Sequence, residues 1–277
     1  MKSVIIGAGT YGEVYLAYMQ EAGVEVVGFL DDAEDMQGKL VRGVPVLGKT
    51  DALETLSAVC GARAVYCPLG NNRLRVQFLK KARELGYETP NFIHRSVVVS
   101  PNVKIGNGVY VLLGTTIMPH TEIRDFTMIS MGVRLAHHAV LSEGTFLSTG
   151  VNFGASIVAE KFAYVGISAT IMTGLKRLGE DCLVGAGAVV IRDVPAGAVV
   201  AGVPAKILKY KPGFDTPPPI RGNEIRFCEA CGLPAVCVSG VPAGTAALSF
   251  LHENLRVFRG ENLVASASGA AAERSAA

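Results

Sequence analysis

Apolar residues recur at every sixth position through the middle of the chain. A six-residue period of this kind predicts a β-helix, in which three short strands form each coil and the apolar side chains fill a narrow prism. The spacing then lengthens by one residue, to Leu178, Val184 and Val190, so we expect one extra residue to bulge outwards near the segment "GLKR". Thirteen consecutive positions follow the period: Val99, Ile105, Val111, Ile117, Ile123, Ile129, Leu135, Leu141, Leu147, Phe153, Ala159, Val165 and Ile171.

The first 90 residues alternate strand-like and helix-like runs instead. "SVIIGAG" is a short buried strand, "YGEVYLAYMQEAG" has apolar residues at helical spacing, and "VEVVGFLDD" is a second strand. The alternation continues through "NNRLRVQFLKKARELG" and predicts a small parallel sheet flanked by helices. Because a β-helix has open ends, we expect this α/β domain to cover one of them.

Composition excludes several classes of function. The net charge of +2 is spread along the chain without the basic stripe that nucleic-acid binding requires. The apolar run in "MKSVIIGAGT" is too short for a signal peptide or a membrane span, so we expect a cytoplasmic protein without membrane association. The six cysteines should stay reduced, and Cys228, Cys231, Cys237 and His252 have only half the form of a zinc site, so no metal is expected.

Several segments together resemble bacterial sugar acyltransferases, a family that includes N-acetyltransferases of nucleotide-linked 4-amino-4,6-dideoxysugars and sialic acid O-acetyltransferases. They are "GAGTYG", "VVGFLDD", "PLGNNRLR", "NFIHRSVVVSP" and "VGAGAVVIRDVPAGAVVAGVPAK", with the hexad region between them. The resemblance covers about residues 1–210. It implies a Rossmann-like nucleotide-sugar-binding domain over 1–92 and a left-handed parallel β-helix of hexapeptide repeats over 93–210. Residues 211–277 form a C-terminal extension, which "DTPPP" and the tail "ASASGAAAERSAA" predict to be partly disordered.

Gly7, Gly9 and Gly12 also match the G-x-G-x-x-G motif of dinucleotide enzymes. The domain is too short for the two halves that such a cofactor spans, whereas a single half suits one nucleotide. The alternative is that these glycines serve only a tight turn and close helix packing. "GTY" departs here from the "SGH" or "GGH" often found in the family. The residues that the resemblance places around the nucleotide sugar are Gly9, Thr10, Tyr11, Asp31, Asp32 and Asn71.

His137 lies two residues beyond Leu135 and should therefore face outwards from the prism. An imidazole titrates near neutral pH and suits proton transfer. In the resembling enzymes an outward histidine at this place is the general base, and His137 matches it. His138 occupies the place of the family's Asp or Glu, and the nearest acids along the coil are Asp125 and Glu143. The catalytic candidates are thus His137 and His138, with the alternative that both are surface residues.

His120 and His138 are one 18-residue coil apart, so their rings should stack about 4.8 Å apart, the spacing of neighbouring strands. We favour a supporting role for this pair over a fortuitous metal site. The resemblance further implies acetyl-CoA as co-substrate and a homotrimer with its active site in the groove between two subunits. It places Phe146, Ile167 and Ala186 along the pantetheine groove and Lys206 near the CoA phosphates.

The expected function is acetyl-CoA-dependent N-acetylation of the amino group of a nucleotide-linked amino-deoxysugar, with a histidine base, for surface-glycan biosynthesis. The alternatives are a sugar O-acetyltransferase of the sialic acid type, a non-catalytic β-helix that binds a nucleotide sugar, and an NAD-dependent oxidoreductase. The choice between N- and O-acetylation and the identity of the nucleotide stay open at this point.

Overall fold

The computed structural model describes residues 1–214 together with the short segments 225–227 and 234–236. The chain divides into two compact units, Met1–Asp215 and Thr216–Ala277. In the second unit, strand Ile225–Phe227 pairs antiparallel with strand Pro234–Val236. Cys228, Cys231, Cys237 and His252 lie outside the described residues. Within the described part, no helix is both long enough and apolar enough to cross a membrane.

The N-terminal domain is a five-stranded sheet with strand order β3-β4-β2-β1-β5. Strand β1 lies inside the sheet, between β2 and β5, and all four of its residues are buried. It pairs in parallel with β2 and β5, and only the edge strand β3 runs antiparallel to its neighbour. The strands are β1 (Ser3–Ile6), β2 (Val26–Leu30), β3 (Leu40–Val41), β4 (Val44–Gly48) and β5 (Ala64–Tyr66); the helices are α1 (Thr10–Glu21), α2 (Leu56–Cys60) and α3 (Asn72–Glu84), with 3-10 turns at Glu34–Met36 and Thr50–Glu54.

Three sheets form the faces of the β-helix, and each strand pairs in parallel with the strand one coil further on. Face one contains β6 (Phe92–Ile93), β9 (Tyr110–Val111), β12 (Met128–Ile129), β15 (Phe146–Leu147), β18 (Tyr164–Val165), β21 (Leu183–Val184), β23 (Ala198–Ala201) and the antiparallel β24 (Lys206–Tyr210). Face two contains β7 (Val98–Val99), β10 (Thr116–Ile117), β13 (Arg134–Leu135), β16 (Asn152–Phe153), β19 (Thr170–Ile171) and β22 (Val189–Val190). Face three contains β8 (Lys104–Ile105), β11 (Glu122–Ile123), β14 (Val140–Leu141), β17 (Val158–Ala159) and β20 (Arg177–Leu178).

The six-residue register predicts the interior of the prism. All of its positions from Val111 to Ile171 are buried. Val99 is 41% exposed, because it lies in the first coil, which no earlier coil covers. The lengthened spacing is confirmed as well: Leu178 pairs with Ala159, nineteen residues earlier, and is fully buried. The extra residue falls in the exposed corner around Gly174, where it bulges outwards.

The α/β domain packs along the side of the prism, so the expectation that it covers an open end is wrong. Helix α3 lies against the corner between faces three and one. Its side chains reach successive coils at intervals of 18 or 19 residues, so the helix runs along the prism and crosses several coils. The ion pairs are Arg83–Asp125, Lys80–Glu143 and Arg73–Asp181, and Asn72 Nδ2 donates to the carbonyl of Phe162 between the last two.

Candidate active site

The loops after β1, β2 and β5 meet at one edge of the sheet, where ligands bind in open α/β sheets. Gly12 permits close packing there, because a Cβ at this position would lie 1.9 Å from the carbonyl oxygen of Gly7. Gly7 itself has φ of +99°, in the region that favours glycine. Gly9 differs from both, since no atom lies within 4 Å of the place where its Cβ would be. Two of the glycines therefore shape the turn, and Gly9 and the exposed Thr10 present open backbone at the N-terminus of α1.

The carboxylates of Asp31 and Asp32, which follow β2, accept hydrogen bonds from neighbouring loops. Asp31 uses both carboxylate oxygens, accepting from the backbone N–H of Ala8 at 2.7 Å and of Ala33 at 2.9 Å. Asp32 is exposed, and its Oδ1 accepts from the backbone N–H and the hydroxyl of Thr50 at 2.9 and 2.8 Å. Asp31 thus holds the glycine loop in place, whereas the second oxygen of Asp32 makes no hydrogen bond within residues 1–214.

Asn71 caps the N-terminus of helix α3. Its Oδ1 accepts from the backbone N–H groups of Arg73 and Leu74, both at 3.1 Å, which satisfies two donors at the start of α3. The side chain of Leu69 lies over Gly7, so the loop Cys67–Asn71 contacts the glycine loop. The Asn71 amide group is exposed and keeps its Nδ2 donors for a ligand.

Tyr11 connects the glycine loop to the β-helix. Its hydroxyl donates to Ser130 Oγ at 3.4 Å, and Ser130 in turn hydrogen bonds to Thr149 Oγ1 at 3.0 Å. Burial raises the pKa of the Tyr11 hydroxyl, and its ring packs edge-on against Tyr15. Tyr11, which stands at the place of the histidine in the family pattern, therefore points at the corner between faces one and two.

His137 and His138 lie at the next corner, between faces two and three, and both are exposed as the register predicts. Their Nδ1 atoms are 3.0 Å apart and their rings are nearly perpendicular. A neutral imidazole has one donor and one acceptor nitrogen, so one of the two Nδ1 atoms carries the shared proton. When His137 is the donor, its Nε2 has a free lone pair that can accept a proton from a substrate.

His120 and His138 stack as predicted, with ring centroids 4.8 Å apart and the rings tilted by 34°. Both residues occupy the left-handed corner position of their coils, with φ of +62° and +56°. Equal backbone conformations one coil apart direct the two rings the same way, which explains the stack.

Neither of the acids considered as partners for His137 serves that purpose. Asp125 and Glu143 lie at the corner between faces three and one, where they form ion pairs with Arg83 and Lys80 of α3. They are therefore part of the contact between the α/β domain and the β-helix. The hydrogen-bond partner of His137 within the described residues is His138.

A shallow groove of about 430 Å³ runs along face two, past Ala136 and Gly154. The histidine corner forms one edge of this face, and the exposed Ile167 and Ala186 lie at its other edge. A groove of about 470 Å³ on face three is lined mainly by charged side chains: Lys104, Glu122, Arg124, Asp125, Glu143 and Lys161. The face-two groove has one charged lining residue, Arg134, among uncharged ones, and it suits the thin pantetheine arm of CoA better.

Of the two other residues expected near CoA, Lys206 lies close to the groove and Phe146 does not. Lys206 is exposed at the start of β24, and its neighbour Ala205 hydrogen bonds to Val189 of the last face-two strand, so Lys206 lies near the end of the groove. Phe146 lies on face one, only 5% exposed, and packs edge-on against Tyr164 beneath the α/β domain. Its backbone N–H is bonded to the carbonyl of Ala163. Phe146 therefore does not line the groove, because the side-on packing of the α/β domain covers it.

Among the residues that the structure describes, no group of three or more His, Cys, Asp or Glu side chains is placed to hold a metal ion.

Residues 2–82 match the family model of the PglD N-terminal domain. A variant of GDP-perosamine N-acetyl transferase from Caulobacter crescentus, solved with CoA and GDP-perosamine, is 34% identical to this chain. The alignment covers 75% of this chain and 96% of that one, with a TM-score of 0.70. This chain belongs to the sugar N-acetyltransferases of the hexapeptide-repeat family. The β-helix of these enzymes is left-handed, which confirms the fold expected from the sequence.

The chain is also similar to other N-acetyltransferases. The acetyltransferase domain of PglB from Neisseria gonorrhoeae is 30% identical, with a TM-score of 0.68 and coverage of 75% of this chain and 99% of that domain. The same domain has also been solved in complex with acetyl coenzyme A. A curated relative, 2,3,4,5-tetrahydropyridine-2,6-dicarboxylate N-acetyltransferase from Staphylococcus aureus, is 49% identical over 53 residues. That match spans 22% of the relative's length and 19% of this chain.

Proposed function

We propose that this protein transfers the acetyl group of acetyl-CoA to the amino group of a nucleotide-linked amino-deoxysugar, as a step in surface-glycan biosynthesis. The observation that carries the proposal is the exposed imidazole of His137 at the edge of the face-two groove, with its Nδ1 hydrogen bonded to His138. Relatives with CoA and GDP-perosamine bound support the two substrate classes. The reaction is assigned to the cytoplasm, as expected from the sequence.

The nucleotide sugar binds at the carboxyl edge of the α/β sheet in this proposal. Open backbone at Gly9 and Thr10 offers N–H groups at a helix N-terminus, which suit a diphosphate. The free oxygen of Asp32 and the exposed amide of Asn71 suit ribose or base contacts. Asp31 holds the glycine loop in place. The sugar extends from this loop towards the β-helix, on the side where Tyr11 contacts Ser130.

The acyl donor lies along face two. Ile167 and Ala186 border the pantetheine arm, and Lys206 is placed to attract the CoA phosphates at the end of the groove. Lysine is a common phosphate-binding residue because its ammonium group acts as a mobile point charge.

His137 is the general base. As the sugar nitrogen adds to the thioester carbonyl carbon, Nε2 of His137 takes one proton from that nitrogen, and the carbonyl oxygen becomes an oxyanion. The C–S bond then breaks, the carbonyl re-forms as an amide, and the proton on Nε2 passes to the departing CoA sulfur. His138 accepts the hydrogen bond from His137 Nδ1 and so holds the reactive tautomer, a role that the family gives to a carboxylate.

The positions of the two half-sites support a homotrimer with shared active sites. Tyr11 contacts Ser130 at the corner between faces one and two, whereas His137 lies at the corner between faces two and three. The sugar site and the base of one chain are thus separated by the width of face two. A neighbouring subunit packed across this face would complete the site, and homo-oligomers mostly have closed symmetry, of which three-fold rings are one form.

Release of CoA thiol, measured with acetyl-CoA and a panel of UDP-, GDP- and dTDP-linked amino sugars, tests this function. We expect turnover with at least one amino sugar and none with the corresponding hydroxy sugar. Turnover with hydroxy sugars alone would identify an O-acetyltransferase. Tight binding of a nucleotide sugar without thiol release would identify a non-catalytic protein, and both results would refute the proposal.

A further inference from the structure

Arg75 is buried completely, yet no carboxylate pairs with it within residues 1–214. Burial lowers the pKa of its guanidinium to about 10, so the group keeps its charge at neutral pH. A buried cation is costly unless its donors are satisfied. Its contacts therefore show what the side chain is needed for.

The guanidinium joins three parts of the molecule. Nη1 donates to the carbonyl of Leu69 at 2.7 Å, in the loop between β5 and α3. Nε donates to the carbonyl of Phe126 at 3.0 Å, and Nη2 donates to that of Gly144 at 2.8 Å, which lie in two successive coils of the β-helix. Nη2 also donates to Asn72 Oδ1 at 2.9 Å. One side chain thus ties the loop to both coils.

The loop is fixed at its other end by a tyrosine. The backbone N–H of Cys67 donates to the hydroxyl of Tyr110 at 2.9 Å, and Tyr110 belongs to face one of the β-helix. Both ends of the segment Cys67–Leu69 are therefore attached to the β-helix, Cys67 directly and Leu69 through Arg75, whereas the glycine loop has the longer Tyr11–Ser130 hydrogen bond of 3.4 Å. The side chain of Leu69 continues this connection to the glycine loop by lying over Gly7.

We propose that Arg75 is a positioning residue, which sets the place of the nucleotide-sugar loops relative to the β-helix that holds the acyl donor. This inference rests on the proposed function, because it gives the loops 7–11 and 67–71 to the nucleotide sugar. Lysine cannot replace arginine here, since one ammonium group cannot bridge the loop and two coils with the geometry of the planar fork. Errors of about 1 Å in substrate position cost roughly a hundredfold in rate.

Steady-state kinetics of Arg75→Lys test the proposal, with Arg83→Lys as the matched control. Arg83 lies on the same helix and also joins α3 to the β-helix, through Asp125 at 3.0 Å, but does not contact the loop. For Arg75→Lys we expect kcat/KM for the nucleotide sugar to fall by about tenfold to a hundredfold, with KM for acetyl-CoA unchanged within about twofold. Arg83→Lys should leave both parameters near the wild-type values.

Tyr110→Phe is the second variant, because it removes only the hydroxyl at the other end of the loop and keeps the ring. It should shift the same parameter in the same direction, by about tenfold or less. Hydrogen exchange of the free proteins provides a readout without substrates: the amides of residues 67–72 should exchange faster in Arg75→Lys and Tyr110→Phe, and not in Arg83→Lys.

Equal kinetic losses for both substrates, or loop exchange unchanged in both loop variants, would overturn the positioning role. If the wild-type protein turned over no nucleotide amino sugar, the proposed function would fail, and faster loop exchange in the two variants would still support the attachment of the loop by Arg75.

Discussion

Replacing His137 and His138 separately distinguishes a base from its support. His137→Ala removes the group that takes the proton in the transition state, and loss of a general base typically costs about 10²- to 10⁴-fold in kcat. His138→Ala removes a neutral hydrogen bond of 3.0 Å to His137. Such a bond is worth about 1 kcal/mol, and a tenfold change in rate corresponds to about 1.4 kcal/mol, so we expect a loss of about fivefold to tenfold.

The acid variant sharpens this comparison. In His138→Asp a carboxylate would accept the same hydrogen bond, and a charge-assisted bond is stronger than a neutral one. We expect kcat to be kept or raised. The acidic limb of its pH–rate profile should move to higher pH, because the carboxylate stabilises protonated imidazole.

Thiol release followed from about pH 5 to 9, a range that includes the titration of an ordinary imidazole, measures all three variants. KM for acetyl-CoA should stay nearly constant, since the donor is held by face two and not by the histidines. If His137→Ala retained most of the wild-type kcat and His138→Ala left kcat unchanged, the histidines would be surface residues without a catalytic role. The mechanism proposed for His137 would then be wrong.

Four other predictions concern the assembly and the fold. Sedimentation at micromolar concentration should give a trimer, and a monomer would exclude a shared site. Truncation after residue 214 should preserve folding and activity, because Met1–Asp215 is a compact unit by itself; an insoluble or inactive product would contradict this. Leu147→Ala, in the fully buried prism, should lower the free energy of unfolding by about 3 to 5 kcal/mol in chemical denaturation, and a loss below about 1 kcal/mol would show that the prism can collapse around the gap. Burial raises the pKa of Cys67 and Cys182 to about 12, so at pH 8 an alkylating reagent should modify the half-buried Cys60 well before either, as peptide mass spectrometry would report; equal labelling would contradict the burial.

The repeating part of the fold follows directly from the sequence, because a single period fixes it. Each coil repeats the same pairings, so one apolar register assigned the interior, and the change of spacing before Leu178 located the bulge. The stack of His120 on His138 followed from the same count. Local, periodic constraints of this kind need no knowledge of distant contacts.

The placement of the α/β domain could not be predicted in that way. It depends on contacts between residues far apart in the sequence, such as Arg75 with Gly144, that leave no periodic signal. This placement explains why Phe146, a residue of face one, is covered by the α/β domain. The structural duties of Asp31 and Asn71 were also hidden, because a loop carboxylate or a helix cap has the same sequence appearance as a ligand contact. In the segment "NNRLR", nothing in the sequence distinguishes the buried Arg75 from the exposed Arg73.

Identification of the acetylated product tests the central claim most directly. The wild-type protein would be incubated with acetyl-CoA and the amino sugar nucleotide that gives the fastest thiol release, with His137→Ala as the control, and the product would be examined by mass spectrometry and NMR. We predict one acetyl group per sugar, attached through an amide at the former amino group, and little product from the variant in the same time. An ester product, or thiol release without an acetylated sugar, would contradict the account.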